Sequence, residues 1–201
     1  MQPSGTEDLL KLHLPEKSVH YCLDLLKRYP FELQLKNARS TKVGDFCLRH
    51  GRGPVITLNK DMSPFLFLVT YIHEFSHHAV RMVYGTKPLP HGKEWKLAFQ
   101  TFMTPVMEME IFPADLQARL KHHLINPKAS SFSDQHLTAL FRKYDEVWVN
   151  KTLVSQVSDS SVFSLKGRQF RKGKKRRTRF ECMETKTGRL YLIPGDLTID
   201  H

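Results

Sequence analysis

The segment from Ser63 to Gly85 constrains the fold more than any other part of the sequence. Ser63 is a favourable N-cap, Pro64 suits the first helical position, and Gly85 is typical of the residue just beyond a helix end. The residues between them are largely apolar, so the sequence predicts one helix of about 21 residues. The positions that we expect to pack in its core are Phe65, Leu66, Leu68, Val69, Ile72, Val80 and Val83.

This predicted helix contains the pattern His73-Glu74-Phe75-Ser76-His77. A separation of four residues places the two imidazoles on one helix face, where they can hold one metal ion. Chance alone predicts roughly 0.03 such patterns in a chain with this many His and Glu residues. Glu74 lies beside the first ligand, where its carboxylate can take a proton from a water molecule. We therefore expect a zinc site with Glu74 as the catalytic base.

A catalytic zinc site usually has three protein ligands, so a third must come from elsewhere in the chain. His91 follows His77 by fourteen residues, after the turn Pro88-Leu89-Pro90, and a loop of that length can return to the metal. The metzincin pattern is excluded, because Val80 and Val83 stand where it needs glycine and histidine. A glutamate ligand stays open as the alternative, through Glu94, Glu108 or Glu110.

At these residues the chain resembles the SprT-like zinc metallopeptidases, a family that includes the Spartan proteases. The resemblance covers roughly Phe31 to Thr104 and rests on an ordered set of segments: Ser40 to Phe46, Ile56-Thr57-Leu58-Asn59, His73-Glu74-Phe75-Ser76-His77 and His91-Gly92-Lys93-Glu94-Trp95. It implies a compact zincin-like core, one zinc ion held by His73, His77 and His91, and Glu74 as catalytic base. Many members carry a four-cysteine zinc ribbon after the core. Only Cys182 lies in that region here, so a second metal is not expected.

Periodicity divides the rest of the chain into elements. Helices are expected over Pro15–Arg28, Gly92–Met103, Pro113–Leu124 and Asp134–Tyr144, with Ser133 as a cap and with Pro105 and Pro127 as breaks. Strands at Phe31–Leu35, Val43–Leu48 and Val55–Leu58 predict a small, mostly antiparallel sheet. Further strands are expected at Val147–Val157, Val162–Leu165, Arg179–Cys182 and Leu190–Ile193, with a turn at Lys186-Thr187-Gly188. The predicted fold class is α+β, with a metallopeptidase domain over residues 1–150 and a β-rich basic appendage over residues 151–201.

Basic residues are concentrated in one C-terminal segment. Nine of the fourteen residues from Lys166 to Arg179 are Lys or Arg, in a chain whose net charge is +11. Such a run is compatible with a solvated loop and equally with a surface for DNA or another polyanion, where Phe170 and Phe180 would offer stacking surfaces. The residues expected to contact nucleic acid are Lys172, Lys174, Lys175, Arg176, Arg177 and Arg179.

Cysteine usage and hydropathy indicate a soluble protein of the cytoplasm. The three cysteines are widely spaced, which argues against a disulfide framework, and no apolar run approaches the ~20 residues of a membrane span. We expect a zinc-dependent peptidase acting on protein or peptide substrates, some of them associated with nucleic acid. The alternative is a non-enzymatic nucleic-acid-binding protein in which zinc only orders the core.

Two assignments stay open at the level of sequence. No spacing rule identifies a residue that would stabilise the oxyanion of the reaction, and the nearby candidates are Tyr71, His78 and Tyr84. Histidines outside the predicted metal site are more often exposed helix residues than ligands, which is our expectation for His78, His122 and His123.

Overall fold

The computed structural model of the 201-residue chain describes residues 5–37, 39, 42–49, 51, 53–128, 134–145, 152–195 and 197–200. The chain divides into two compact units, residues 1–146 and 147–201. Over the described residues, the first unit combines α-helices with a three-stranded sheet, and the second is built on a four-stranded sheet. The fold class is therefore α+β, as the sequence predicts.

The elements of the first unit follow the predicted order, with one addition at the N-terminus. They are α1 (Thr6–His13), α2 (Glu16–Arg28), β1 (Glu32–Lys36), β2 (Gly44–Arg49), β3 (Gly53–Asn59), α3 (Pro64–Tyr84), α4 (Lys93–Glu108), α5 (Ala114–Ile125) and α6 (Gln135–Lys143). Helix α1 is not predicted. The cap of α6 is Asp134, whose carboxylate accepts a hydrogen bond from the amide of Leu137 at 3.1 Å. The predicted cap, Ser133, lies outside the described residues.

The first sheet has the strand order β1-β3-β2. β2 pairs with β3 in the antiparallel sense, but β1 pairs with β3 in the parallel sense, so the prediction of a mostly antiparallel sheet is wrong for one of the two pairings. The reason is that β1 and β2 pair with opposite edges of β3 rather than with each other, so they do not form a hairpin. β3 is thus the central strand, and Val55, Ile56 and Leu58 are fully buried.

Hydrogen bonds join Arg39, Lys42 and Val43 to the end of β3. The Arg39 guanidinium donates to Asn59 Oδ1 at 2.8 Å and to Thr57 Oγ1 at 3.0 Å. Asn59 in turn donates from its side chain to the carbonyl of Lys42 at 3.1 Å and from its backbone to the carbonyl of Val43 at 2.8 Å. These bonds determine where β2 begins.

Helix α3 is the central element of the first unit and has the predicted bounds. Ser63 Oγ accepts a hydrogen bond from the amide of Leu66 at 3.4 Å, and Gly85 ends the helix with a φ of 69°. Buried side chains occur on all of its faces, because it packs against β2, β3 and α4 while Tyr71 donates a hydrogen bond to the carbonyl of Cys22 in α2. The last turn extends beyond the core. Val83 is 63% exposed there, so its predicted place in the core is wrong.

Helix α4 continues through Pro105, where the sequence predicts a break. A proline within a helix removes one backbone hydrogen bond. The helix nevertheless extends to Glu108, because Val106 and Met107 prolong the buried stripe of Phe99 and Met103. Among the helices of the described residues, none combines the length and apolar character needed to cross a bilayer.

The second unit is an antiparallel meander in the order β4-β5-β6-β7. Its strands are β4 (Val162–Leu165), β5 (Arg168–Arg176), β6 (Arg179–Glu184) and β7 (Leu190–Pro194). A single turn of 3-10 helix at Val154–Gln156 replaces the described part of the strand predicted over residues 147–157, and residues 147–151 lie outside the description. The predicted turn at residues 186–188 joins β6 to β7, where the amide of Gly188 donates to the carbonyl of Glu184.

Candidate metal centre

Three histidines from two segments of the first unit converge on one point. His73 and His77 project from one face of α3, and His91 lies in the loop before α4. The Nε2 atom of His91 is 3.0 Å from Nε2 of His77 and 3.2 Å from Nε2 of His73. Among the described residues, these three form the group of His, Cys, Asp or Glu side chains whose ligand atoms lie within 4.8 Å of one another. The third predicted ligand is therefore brought to the other two.

The separations between the three nitrogen atoms fit a tetrahedral ion. With Zn–N distances of about 2.0–2.1 Å, tetrahedral geometry separates neighbouring ligand nitrogens by about 3.3 Å. Hydrogen bonding alone explains the arrangement less well, because a neutral imidazole carries one N–H and His91 Nε2 approaches two other ring nitrogens at once. The donor set of three imidazoles suits zinc or another first-row divalent metal.

The protonation state of the histidines also favours metal binding. Burial, together with the smaller effect of the neighbouring imidazoles, lowers the pKa of His73 to about 3 and that of His77 to about 4. Burial lowers the pKa of His91 as well. All three rings are therefore neutral at pH 7 and keep a lone pair available for a cation.

His91 has an unusual backbone conformation. Its φ is 59°, in the left-handed region that non-glycine residues rarely adopt. The next residue closes the turn, since the amide of Gly92 donates to the carbonyl of Leu89 at 2.9 Å before α4 begins. A strained residue persists where its surroundings over-determine it, and such residues cluster at functional sites. Here the turn directs the imidazole of His91 back towards α3.

Trp95 forms one wall of the histidine cluster. Its ring centroid lies 4.6 Å from those of His73 and His91 and 5.3 Å from that of His77, and Nε1 donates to the carbonyl of His73 at 3.3 Å. Trp95 and Phe99 are four residues apart in α4 and are both buried, but this spacing does not reveal the contact of Trp95 with the histidines. The sequence feature that could have indicated this contact is the position of Trp95 four residues after His91.

Glu74 is buried beside the cluster, 7% exposed, and lies against β2. Its carboxylate accepts a hydrogen bond from the backbone amide of Phe46. Burial raises the pKa of Glu74 to about 8, with a further contribution from the nearby carboxylate of Asp45, while the Phe46 amide, Arg39 and Lys42 oppose the shift. A cation held by the adjacent histidines would favour the ionised form. Glu74 is thus held between α3 and β2, next in sequence to the first histidine of the cluster.

The alternative ligands and oxyanion candidates have different places. Glu94, Glu108 and Glu110 do not belong to the metal-binding group of the described residues. Tyr71 is buried and donates its hydroxyl proton to the carbonyl of Cys22, away from solvent. His78 is also buried, whereas Tyr84 in the last turn of α3 is 49% exposed.

Two histidines that we predicted to be exposed lie in the core. His78 is 1% exposed and is surrounded by the rings of Tyr29, Phe31, Phe46 and Phe75. His123 is 5% exposed and its Nδ1 lies 3.9 Å from the carboxylate of Asp134. The prediction is wrong because α3 packs against β2 and β3 and α5 packs against α6, which buries the faces that carry these two histidines. His122 is exposed, as expected.

Most of the predicted nucleic-acid contacts lie at the tip of the β5–β6 hairpin in the second unit. Arg176 pairs with Arg179 across the turn, and Arg177 between them has a φ of 55°. Five predicted residues are exposed at this tip: Lys174, Lys175, Arg176, Arg177 and Arg179. Arg176 forms an ion pair with Glu181 at 2.8 Å, and no ion pair involves the other four within the described part of the chain. We call these five residues the basic hairpin tip.

Lys172 and the two phenylalanines do not take the predicted role. Lys172 is 4% exposed, its ammonium donates to the carbonyls of Ser155 and Val157, and it lies 4.3 Å from the ring centre of Phe180. Phe170 and Phe180 are 3% and 6% exposed in the core of the second unit, so they offer no stacking surface. The basic segment forms a strand whose alternate side chains point inward.

Comparison of the chain with protein-family models, with curated proteins and with solved structures finds no match in any of the three. The functional assignment therefore depends on the site itself.

Proposed function

We propose that this protein is a zinc-dependent peptidase with a zincin-like core, of the SprT-like type that its sequence resembles. The observation that carries the proposal is the convergence of His73, His77 and His91, next to a buried carboxylate from the same helix. No fourth His, Cys, Asp or Glu joins this group in the described residues. Structural zinc sites usually have four protein ligands, whereas catalytic sites have three and leave one position for water or substrate.

The chemistry follows from the residues around this open position. Zinc bound there would polarise a peptide carbonyl and acidify water. The three histidines are half-buried, so the group is accessible to solvent and to a peptide. The Glu74 carboxylate would take the proton of the attacking water and pass it to the leaving amine, which restores Glu74 to its ionised form. Trp95 would keep the His73 and His91 rings in place throughout.

The test is proteolysis of fluorescently labelled casein by the zinc-loaded full-length chain and by a Glu74→Gln variant. The substitution keeps the size of the side chain but removes the base, so kcat should fall about 10²–10⁴-fold while one zinc is retained. Equal cleavage by both proteins would contradict the role of Glu74. The absence of cleavage by the wild-type chain, with zinc bound and the fold intact, would favour the non-enzymatic alternative.

A second candidate function is binding of nucleic acid by the basic hairpin tip, which would bring the peptidase to proteins associated with nucleic acid. It is favoured by the four exposed cations of this tip that form no ion pair with the described residues. A two-stranded ribbon has the dimensions of the DNA major groove, and exposed Lys and Arg side chains bind phosphates without sequence preference. The cytoplasm, where we expect the protein, contains abundant nucleic acid.

This candidate is tested by fluorescence titration of a DNA duplex over a range of salt concentrations. Replacement of Lys174, Lys175, Arg177 and Arg179 with Ala should weaken binding and flatten the plot of log K against log salt by about 0.9 for each phosphate that the variant no longer neutralises. A control with the same change of charge replaces four exposed lysines of the first unit: Lys17, Lys27, Lys93 and Lys121. Equal effects of both variants would show that net charge, and not the hairpin tip, determines binding.

A further inference from the structure

We propose that Gly44 of β2 is a positioning residue for Glu74: together with the Phe46 amide it forms a seat in which the missing side chain at position 44 makes room for the catalytic carboxylate. This inference rests on the proposed peptidase function for its catalytic consequence. The seat itself is a geometric feature of the first unit.

The contact between Gly44 and Glu74 leaves no room for a Cβ atom at position 44 unless its neighbours move. A Cβ atom built there would lie 2.7 Å from Glu74 Oε1 and 2.8 Å from Glu74 Cγ. It would also lie 2.7 Å from the Cγ2 methyl group of Thr70, one turn earlier in α3. Carbon and oxygen atoms that are not bonded do not approach this closely, so a side chain at this position must displace its neighbours.

Backbone conformation does not explain the glycine. Gly44 is absent from the residues with positive φ, a group that includes Gly51 and Gly53 of the adjacent hairpin. An alanine could therefore adopt the backbone of residue 44 without strain. The demand for glycine comes from space alone, and the space is occupied by Glu74 and Thr70.

Two further interactions make the seat a defined position. The amide of Phe46, two residues along β2, donates to the Glu74 carboxylate and limits its rotation. The Arg39 guanidinium, bound to Asn59 and Thr57, also donates to the carbonyl of Val43 at 3.4 Å, the residue before Gly44. A base held in this way needs little rearrangement before it accepts a proton.

The structure predicts an unusual separation between stability and activity in a Gly44→Ala variant. The new methyl group meets Glu74 Oε1, at the flexible end of its side chain, and also Glu74 Cγ and the Thr70 methyl group, so the carboxylate must turn aside and the two carbon atoms must shift. A displacement of about 1 Å of a catalytic group can cost about a hundredfold in rate. The variant should therefore retain one zinc and lose at least about a hundredfold in kcat, with KM changed less than about threefold.

Two further variants isolate the contact with Glu74. Gly5→Ala is the control for the substitution type, because a Cβ at Gly5 meets nothing within 4 Å, and its kcat should equal that of the wild type. Gly44→Ala with Thr70→Ser removes the Thr70 methyl group and keeps its hydroxyl. This double variant should stay as inactive as Gly44→Ala. Recovery of activity would show that Thr70, not Glu74, transmits the effect and would overturn the proposal.

A readout that needs neither zinc nor activity is the NMR shift of the Phe46 amide proton. A charge-assisted hydrogen bond to Glu74 moves this signal downfield. In metal-free protein at pH 9, Glu74→Ala should move the signal upfield, and Gly44→Ala should do the same. The double variant that combines Gly44→Ala with Glu74→Ala should show no further change. If the shifts of Gly44→Ala and Glu74→Ala add up in their double variant, the two residues do not share a seat. A kcat of Gly44→Ala within threefold of the wild type would also contradict the proposal.

Misfolding of Gly44→Ala also gives a decisive result. If the single variant does not fold, the triple variant Gly44→Ala, Thr70→Ser, Glu74→Ala should fold, since the two further substitutions remove the three atoms that the new methyl group meets. Failure of both would place the clash elsewhere and overturn the proposal. If the wild-type chain cleaves no substrate but the amide shifts behave as expected, the seat stands and the peptidase function fails.

Discussion

The histidine cluster of the first unit and the basic hairpin tip of the second show two different relations between sequence and site. The cluster depends on the placement of a few half-buried side chains, and all three predicted ligands meet at ring-nitrogen separations of 3.0 and 3.2 Å between neighbours. The basic segment depends on composition, and folding redistributes it: five predicted residues stay exposed at the tip and Lys172 enters the core. A motif with a geometric requirement therefore predicts individual residues better than a count of charges does.

The two regions also differ in whether the effects of single substitutions are coupled or additive. Around the cluster, each ring contacts the others, so the loss of one group disturbs the rest. At the hairpin tip the exposed cations act on phosphates nearly independently, and their contributions should add. The following predictions test this contrast, from the largest effect to the smallest.

The pH dependence of zinc affinity should separate the buried cluster from ordinary histidines. A peptide with three histidines of normal pKa would lose about a thousandfold in affinity between pH 7.5 and pH 5.5, because protons compete for the rings. Here the pKa values of His73 and His77 are about 3 and 4, and that of His91 is lowered too, so competition begins only at lower pH. Zinc titrations with a competing chelator should show a loss of less than about tenfold, and a thousandfold loss would indicate rings of normal pKa.

Trp95→Ala should destabilise the first unit by about 3–5 kcal/mol, because it leaves a cavity against His73 and Phe99. Zinc affinity should fall as well, since the ligand rings lose the wall that orients them. Urea unfolding followed by circular dichroism measures the first effect. Leu97→Ala on the same helix is the control: Leu97 is 62% exposed, and the change in stability should stay within about 0.5 kcal/mol.

Lys172→Met should destabilise the second unit without changing its affinity for DNA. The substitution keeps the apolar stem but leaves the carbonyls of Ser155 and Val157 without their donor, at a cost of about 1–3 kcal/mol. Hydrogen exchange of the amides in residues 162–194 should accelerate. Lys174→Met is the comparison, because it should leave exchange unchanged and weaken DNA binding. If Lys172→Met instead weakened DNA binding and left exchange unchanged, Lys172 would belong to the binding surface.

Sequence reasoning was most successful where a local rule applies. The bounds of α3 follow from Ser63, Pro64 and Gly85, and the ligand pair follows from the helical repeat. It failed where tertiary contacts decide. Strand periodicity carries no information on whether β1 pairs in the parallel sense, and buried Val106 and Met107 carry α4 past Pro105.

The misplacement of Lys172 has a more specific cause. β5 contains few apolar residues, so its alternation is hidden, and the inward position after Phe170 is taken by the aliphatic stem of a lysine. The seat of Glu74 could not be predicted from the sequence either, because nothing near Gly44 in the chain indicates that it contacts Glu74 thirty residues later. Both features arise from neighbours that only the fold brings together.

The central claim is that His73, His77 and His91 hold one zinc ion, and the most direct test is the zinc content and affinity of three purified proteins. The wild-type chain and a Glu94→Ala variant should each bind one equivalent with the same affinity. His91→Ala should bind zinc about a hundredfold more weakly or worse, because it loses a ligand. Full zinc binding by His91→Ala, or its loss in Glu94→Ala, would contradict the account.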